Sequence, residues 1–215
     1  MVELILARLI RIPAILIAVV GHEMSHGYMS YKLGDPTPKY DGRLSINPIR
    51  HLDVLGTILL VLFGFGWAKP VVVNPQYYKK PRRDMALVAL AGPLSNFIMA
   101  IVSYFLFGIF SNIFRSSDSS VVLFISMILQ SLVYINLGLM VFNLIPIPPL
   151  DGSRILARFL PDKLFFQYAK LEPYGMYIVF ALVAVGVGSS VISSLMNLTL
   201  SGISFVIDPL LNLIF

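Results

Sequence analysis

The sequence predicts an all-α polytopic membrane protein, a single domain over residues 1–215, with about four to five transmembrane helices, a re-entrant segment and a small β-element at the cytoplasmic face. Three observations lead there. Hydrophobic residues make up 57% of the chain and charged residues only 13%, with a mean hydropathy of +0.84, which is too apolar for a surface that faces water. Apolar runs long enough to cross a lipid bilayer recur along the chain. The basic residues behind the net charge of +5 fall in short loops between those runs, so they report topology and give no sign of a nucleic-acid partner.

Taken in order, residues 1–11 mix Leu and Ile with Glu3, Arg8 and Arg11 and suit the membrane interface. Residues 12–31 form the first span, since 20 residues of helix rise about 30 Å. The run carries ionisable residues and no small-residue cleavage site, so it reads as a retained helix and not a signal peptide. Residues 33–50 are polar, and Gly34-Asp35-Pro36 and Asp41-Gly42 suggest a hairpin pairing 39–40 with 43–46. Residues 52–65 are apolar but only 14 long, and Gly64, Gly66 and Pro70 break the run, which fits a segment that dips in and returns.

Residues 85–110 are a second span and 121–144 a third, which Pro146, Pro148 and Pro149 bring to an end. Residues 153–171 read as a short amphipathic helix and linker, and residues 173–197 as a fourth span. Residues 198–215 are apolar but interrupted by Gly202, Asp208 and Pro209, and the pattern assigns them no place.

Parity and charge bear on the re-entrant segment. If residues 52–65 return to the face they left, Lys32, both flanks of the segment and Asp151 share one face. That face then carries 13 Lys and Arg against Arg8, Arg11 and Arg115 opposite. A crossing segment lowers the split to 11 against five and carries Asp151 to the far side. The basic face is expected to be cytoplasmic.

The chemistry centres on Gly21-His22-Glu23-Met24-Ser25-His26. Two histidines four residues apart share one helix face and can reach a single metal ion, with Glu23 beside them as a general base. Ionisable residues inside an apolar span are rare and usually functional. The chain has no Cys, so His, Asp and Glu must hold any metal. Asp151, after the proline run, is the candidate third ligand, with a turn-forming Asp-Gly as its structural alternative. His51 and Asp53 form a weaker pair suited to outer-shell or interfacial positions. Asn96 and Asn143 are amides in apolar spans, available either for helix-to-helix hydrogen bonds or for a substrate backbone or developing oxyanion.

Three motifs, His22-Glu23-Met24-Ser25-His26, Ala91-Gly92-Pro93-Leu94-Ser95-Asn96 and the stretch from Asn143 through Pro146, Pro148 and Pro149 to Asp151-Gly152, resemble the site-2 protease family. Phe65-Gly66-Trp67-Ala68-Lys69-Pro70 is similar to a compact branch without a PDZ or CBS domain. The resemblance implies an intramembrane zinc endopeptidase acting in or near transmembrane helices of membrane-spanning protein substrates. It implies one Zn2+ ion on His22, His26 and Asp151, Glu23 as base, and Asn96 and Asn143 lining the substrate site. The expected location is the plasma membrane, with the site toward the cytoplasm. A metal-ion transporter would call for inverted repeats or a path of ionisable residues, and neither is visible. A non-catalytic scaffold would not need Glu23 between the histidines. Oligomeric state and substrate identity are not legible.

Overall fold

The computed structural model describes residues 2–63, 67–185 and 187–215, so the expected break at Gly64 and Gly66 lies outside the described residues. The architecture is mostly helical, and no sheet occurs among the described residues. Helix α1 (Val2–Lys32) is continuous, absorbing the stretch expected at the interface. It is followed by α2 (Thr37–Tyr40), α3 (Val54–Phe63), α4 (Pro81–Ile113) and α5 (Ser120–Asn143). Two short helices, α6 (Asp151–Ala157) and α7 (Asp162–Ala169), precede α8 (Gly175–Val185) and α9 (Val187–Ile214).

Among the described residues, three helical stretches are long and apolar enough to cross a membrane, Pro81–Ile113, Ser120–Asn143 and Ser190–Ile214. The last begins within the span expected over residues 173–197 and runs beyond it, and that expected span includes residue 186, which lies outside the described residues. Helix α9 continues through the residues that had no place. Asp208 is tolerated there because its Oδ1 accepts a hydrogen bond from Tyr104 at 2.8 Å, and Gly202 faces open space. The apolar core joins α4, α5 and α9 around Ala100, Leu137, Met140 and Ile207.

The expected hairpin in residues 33–50 is not seen. Asp35 Oδ1 accepts from the Thr37 amide at 2.9 Å and starts a helical turn that takes in residues 39 and 40, the first arm of the expected hairpin. Asp41-Gly42 then ends α2. The Arg43 amide reaches back to the Pro38 carbonyl at 2.8 Å and the Gly42 amide to Lys39 at 3.0 Å, with Gly42 at φ 65°. This is the left-handed helix stop that glycine favours. Gly34, at φ 106°, closes α1 in the same way, with the Asp35 amide bonded to the Ser30 carbonyl.

A lone antiparallel bridge joins Leu52 to Ala68, and the Lys69 amide donates to the His51 carbonyl at 2.9 Å. The chain that enters α3 and the chain that returns from it are therefore fastened together. Arg43, buried, reinforces the junction by donating to the Arg50 carbonyl.

Candidate metal centre

His22 and His26 lie on the face of α1 that packs against α4, and Gly92 of α4 makes that approach possible. A Cβ at Gly92 would stand 2.5 Å from His26 Cε1 and 2.6 Å from His22 Cε1, so no larger residue fits beside the two rings. The rings meet edge to face with centroids 4.5 Å apart. Asp151 arrives from α6, whose N-terminus the proline turn after α5 swings over α1.

The protonation of both rings follows from their back sides. His26 Nδ1 lies 2.7 Å from the Val88 carbonyl, an obligate acceptor, so Nδ1 carries the proton and Nε2 the lone pair. For His22 the logic runs through two amides. Asn136 Nδ2 donates to the Leu132 carbonyl at 2.8 Å, which turns its Oδ1 toward Asn96. Asn96 Nδ2 donates to that oxygen at 2.8 Å and to the Ala18 carbonyl at 3.2 Å. Its Oδ1 is then left to face His22 Nδ1 at 2.6 Å, which must donate. Both Nε2 atoms therefore point lone pairs forward.

Those lone pairs converge with a carboxylate. The two Nε2 atoms are 3.0 Å apart, and each is 3.3 Å from Asp151 Oδ2, a buried oxygen with no hydrogen-bond donor. With both rings neutral, three acceptors so close repel unless a proton or a metal cation lies among them. Tetrahedral zinc with ligands at about 2.0–2.1 Å sets neighbouring ligand atoms about 3.3 Å apart, which matches the observed triangle. Two imidazoles and one carboxylate also leave a fourth position open, so the residues fit a catalytic zinc ion.

Glu23 projects into the same cavity, about 520 Å³, which is also lined by Val71, Val73, Asn143, Pro149 and Asp151. Its Oε2 accepts from the Val71 amide at 2.9 Å. The segment carrying Val71 is pinned on either side: Lys69 to His51, and the Asn74 amide to Asp35 Oδ2 at 2.7 Å. Asp35 also accepts from Ser30 at 2.8 Å. Burial raises the Asp35 pKa, but the hydrogen bonds from Thr37, Asn74 and Ser30 outweigh it and hold the carboxyl below its ordinary range.

The match of residues 11–186 to the pattern of peptidase family M50 decides the relationship. The chain belongs to that family. This M50 protein is 38% identical over 187 residues to the Bacillus subtilis (strain 168) protein named "Putative zinc metalloprotease YwhC", covering 85% of this chain and 84% of that one. It is 31% identical over 156 residues to the Methanocaldococcus jannaschii protein named "Putative zinc metalloprotease MJ0611", covering 71% of each chain. It is 25% identical over 166 residues to "Putative zinc metalloprotease Rip2" of Mycolicibacterium smegmatis, covering 75% of this chain and 61% of that protein. No solved structure matches. The M50 chain is a metalloprotease, as the site-2 protease resemblance implied.

Within the M50 fold, His22, His26 and Asp151 come together and Glu23 lies beside them. Asn143 lines the cavity and donates to the Leu139 carbonyl at 3.0 Å. Asn96 is fully buried behind His22, with its amide engaged by three partners and none of it facing the cavity. His51 is buried at the loop junction, where Nε2 donates to the Ser45 carbonyl at 2.7 Å. Asp53 caps α3 through the Gly56 amide at 2.8 Å. Sequence reasoning did not single out Asn136, although it is an amide in an apolar span like Asn143, two helical turns away.

Proposed function

We propose that the protein is an intramembrane endopeptidase that holds one Zn2+ ion on His22, His26 and Asp151 and cleaves peptide bonds in or near transmembrane helices of membrane-spanning proteins. The observation that carries this reading is the triangle of His22 Nε2, His26 Nε2 and Asp151 Oδ2 beside Glu23 in one cavity. Bound there, zinc supplies Lewis acidity that polarises the scissile carbonyl and acidifies water.

The chain's own residues do the rest. Glu23 takes a proton from the attacking water and passes it to the leaving amine, while the Val71 amide fixes one carboxylate oxygen and leaves the other for this work. Asn96 holds His22 in the tautomer that faces the metal, an orienting role consistent with the helix-to-helix hydrogen bonding that was one of its two expected uses. Asn143 offers its amide to the substrate backbone. A peptide bond within a helix is shielded, so the substrate must unwind before attack and needs new hydrogen-bond partners. The backbone of residues 70–73, where Val72 is 57% exposed, suits an added strand.

In this reading α1 crosses the membrane as a fourth span and residues 52–65 re-enter it from the face they leave. The fastening of Leu52 to Ala68 supports that return. The 13 Lys and Arg on the site's side support a cytoplasmic face in the plasma membrane. Two substitutions test the assignment. Glu23→Gln should keep zinc and lose proteolysis, whereas Asp151→Asn should weaken zinc binding by at least about 10–100-fold. Wild-type cleavage by Glu23→Gln would remove the base, and zinc affinity unchanged in Asp151→Asn would remove the third ligand.

A further inference from the structure

A second cavity, about 390 Å³, opens beside the metal centre and shares Pro75, Met85, Pro149 and Arg154 with the first. Its walls are largely apolar, with Pro148, Pro149 and Met85 on one side and Phe165 of α7 on the other. The cavity is built in, because α7 is fastened over it at two points. Tyr168 donates to the Pro146 carbonyl at 2.8 Å, and Arg82 pairs with Asp162 at 2.7 Å while lying 4.0 Å over the Phe165 ring.

Its charge is unbalanced. Arg82 is committed to Asp162, but Arg154 meets the Met85 thioether at 3.0 Å, and neither Arg154 nor Arg158 has an ion-pair partner among the described residues. Glu172 is the one acidic residue in the lining. Arg154 stands at the junction of the two cavities, where a chain passing from one to the other must run by its guanidinium.

We propose that this cavity is a specificity subsite for the substrate segment that leaves the catalytic cavity past Pro149, seating an apolar side chain among the prolines and an acidic residue against Arg154 and Arg158. The inference rests on the proteolytic reading of the first cavity and adds the chemistry of the substrate it selects. Cytoplasmic flanks of membrane proteins are commonly basic, so an acidic requirement there discriminates strongly among spans.

The test reads binding and not turnover. The chain has no Cys, so single cysteines can be placed at Ala157, in the second cavity, or at Val73, in the first, within zinc-loaded full-length Glu23→Gln protein. The probes are synthetic single-span Leu/Ala peptides with a central Asn-Gly break. Each carries one Cys and one Glu, Ala or Lys two to five residues after the break. Disulfide capture at Ala157→Cys should favour the Glu peptide over the Lys peptide by about fivefold or more, the scale of one or two partly exposed ion pairs. Arg154→Gln with Arg158→Gln should abolish the preference, and Arg154→Glu with Arg158→Glu should invert it.

Capture at Val73→Cys without charge preference at Ala157→Cys overturns the subsite and leaves the proteolytic reading standing. Capture at neither position overturns both. Loss of Glu and Lys capture in parallel when phosphatidylglycerol is added to the micelles, but not phosphatidylcholine, assigns the arginines to a lipid headgroup and also overturns the subsite.

Discussion

Replacing Gly92 with Ala sets two effects of known size against each other. In the interior of a helix such as α4, Ala is favoured over Gly by about 1 kcal/mol, so local propensity predicts a more stable helix. The new methyl, however, would stand 2.5 Å from His26 Cε1 and 2.6 Å from His22 Cε1, where ordinary contact begins at 3.4 Å. The rings must retreat by about 0.8–0.9 Å, several times the tolerance of about 0.2 Å on a metal-ligand distance. They cannot do so freely, because each is tied at its back by a bond of 2.6–2.7 Å to Asn96 or Val88. Overpacking of this kind costs about 1–3 kcal/mol, and displaced ligands lower metal affinity by at least about 10–100-fold. Gly92→Ala should therefore keep its helical content by circular dichroism yet lose zinc in competition with a chelator. Gly108→Ala is the control, since a Cβ there meets only the Leu211 side chain, far from the metal. Zinc affinity within twofold of wild type in Gly92→Ala would refute the packing argument.

Further outcomes follow from the same geometry. Asn96→Leu should keep the α1–α4 contact but free His22 to take the wrong tautomer, lowering zinc affinity by about 10–100-fold, and affinity titration checks it. Single cysteines at Ser45 and Gln76 should both label from the cytoplasm alone, and labelling from opposite faces would exclude re-entry of residues 52–65. Asp35→Asn should raise KM more than it lowers zinc content, because it unpins Asn74 and with it the segment that holds Glu23. Since the folded Asp35 pKa lies below the unfolded value, its stabilisation is present above about pH 4 and is lost as pH falls through the folded value. The gap in melting temperature between wild type and Asp35→Asn should accordingly narrow on acidification.

What the sequence could convey about the site was its ligand chemistry. With Cys absent, metal ligation had to come from His and carboxylates, and four-residue spacing alone puts His22 and His26 on one face. Asp151 was reachable because the proline run and the parity of spans carry it to the same side. The supporting residues were less legible, since Asn96 contacts His22 across 74 positions and Asn136 contacts Asn96 across 40. Their roles depend on the rotation of α4 and α5 about their own axes, which apolar spans with weak periodicity do not specify. The hairpin was misread because Asp-Gly serves equally as a hairpin turn and as a helix stop, and only the geometry after Pro36 and Pro38 separates the two. Residues 198–215 had no place in the pattern because Gly202, Asp208 and Pro209 interrupt them, and Asp208 looks prohibitive until Tyr104, 104 positions away, is placed beside it.

The bridge between Leu52 and Ala68 has a consequence for how the protein can vary. Because the chain between them is closed at its base, with Lys69 held to His51, a change of length inside it need not be transmitted to Val71 or Glu23. Doubling such a loop costs only about 0.6 kcal/mol of closure entropy. The stretch is thus an exchangeable cassette: it can be lengthened, shortened or grafted between relatives while the residues at its base stay in register.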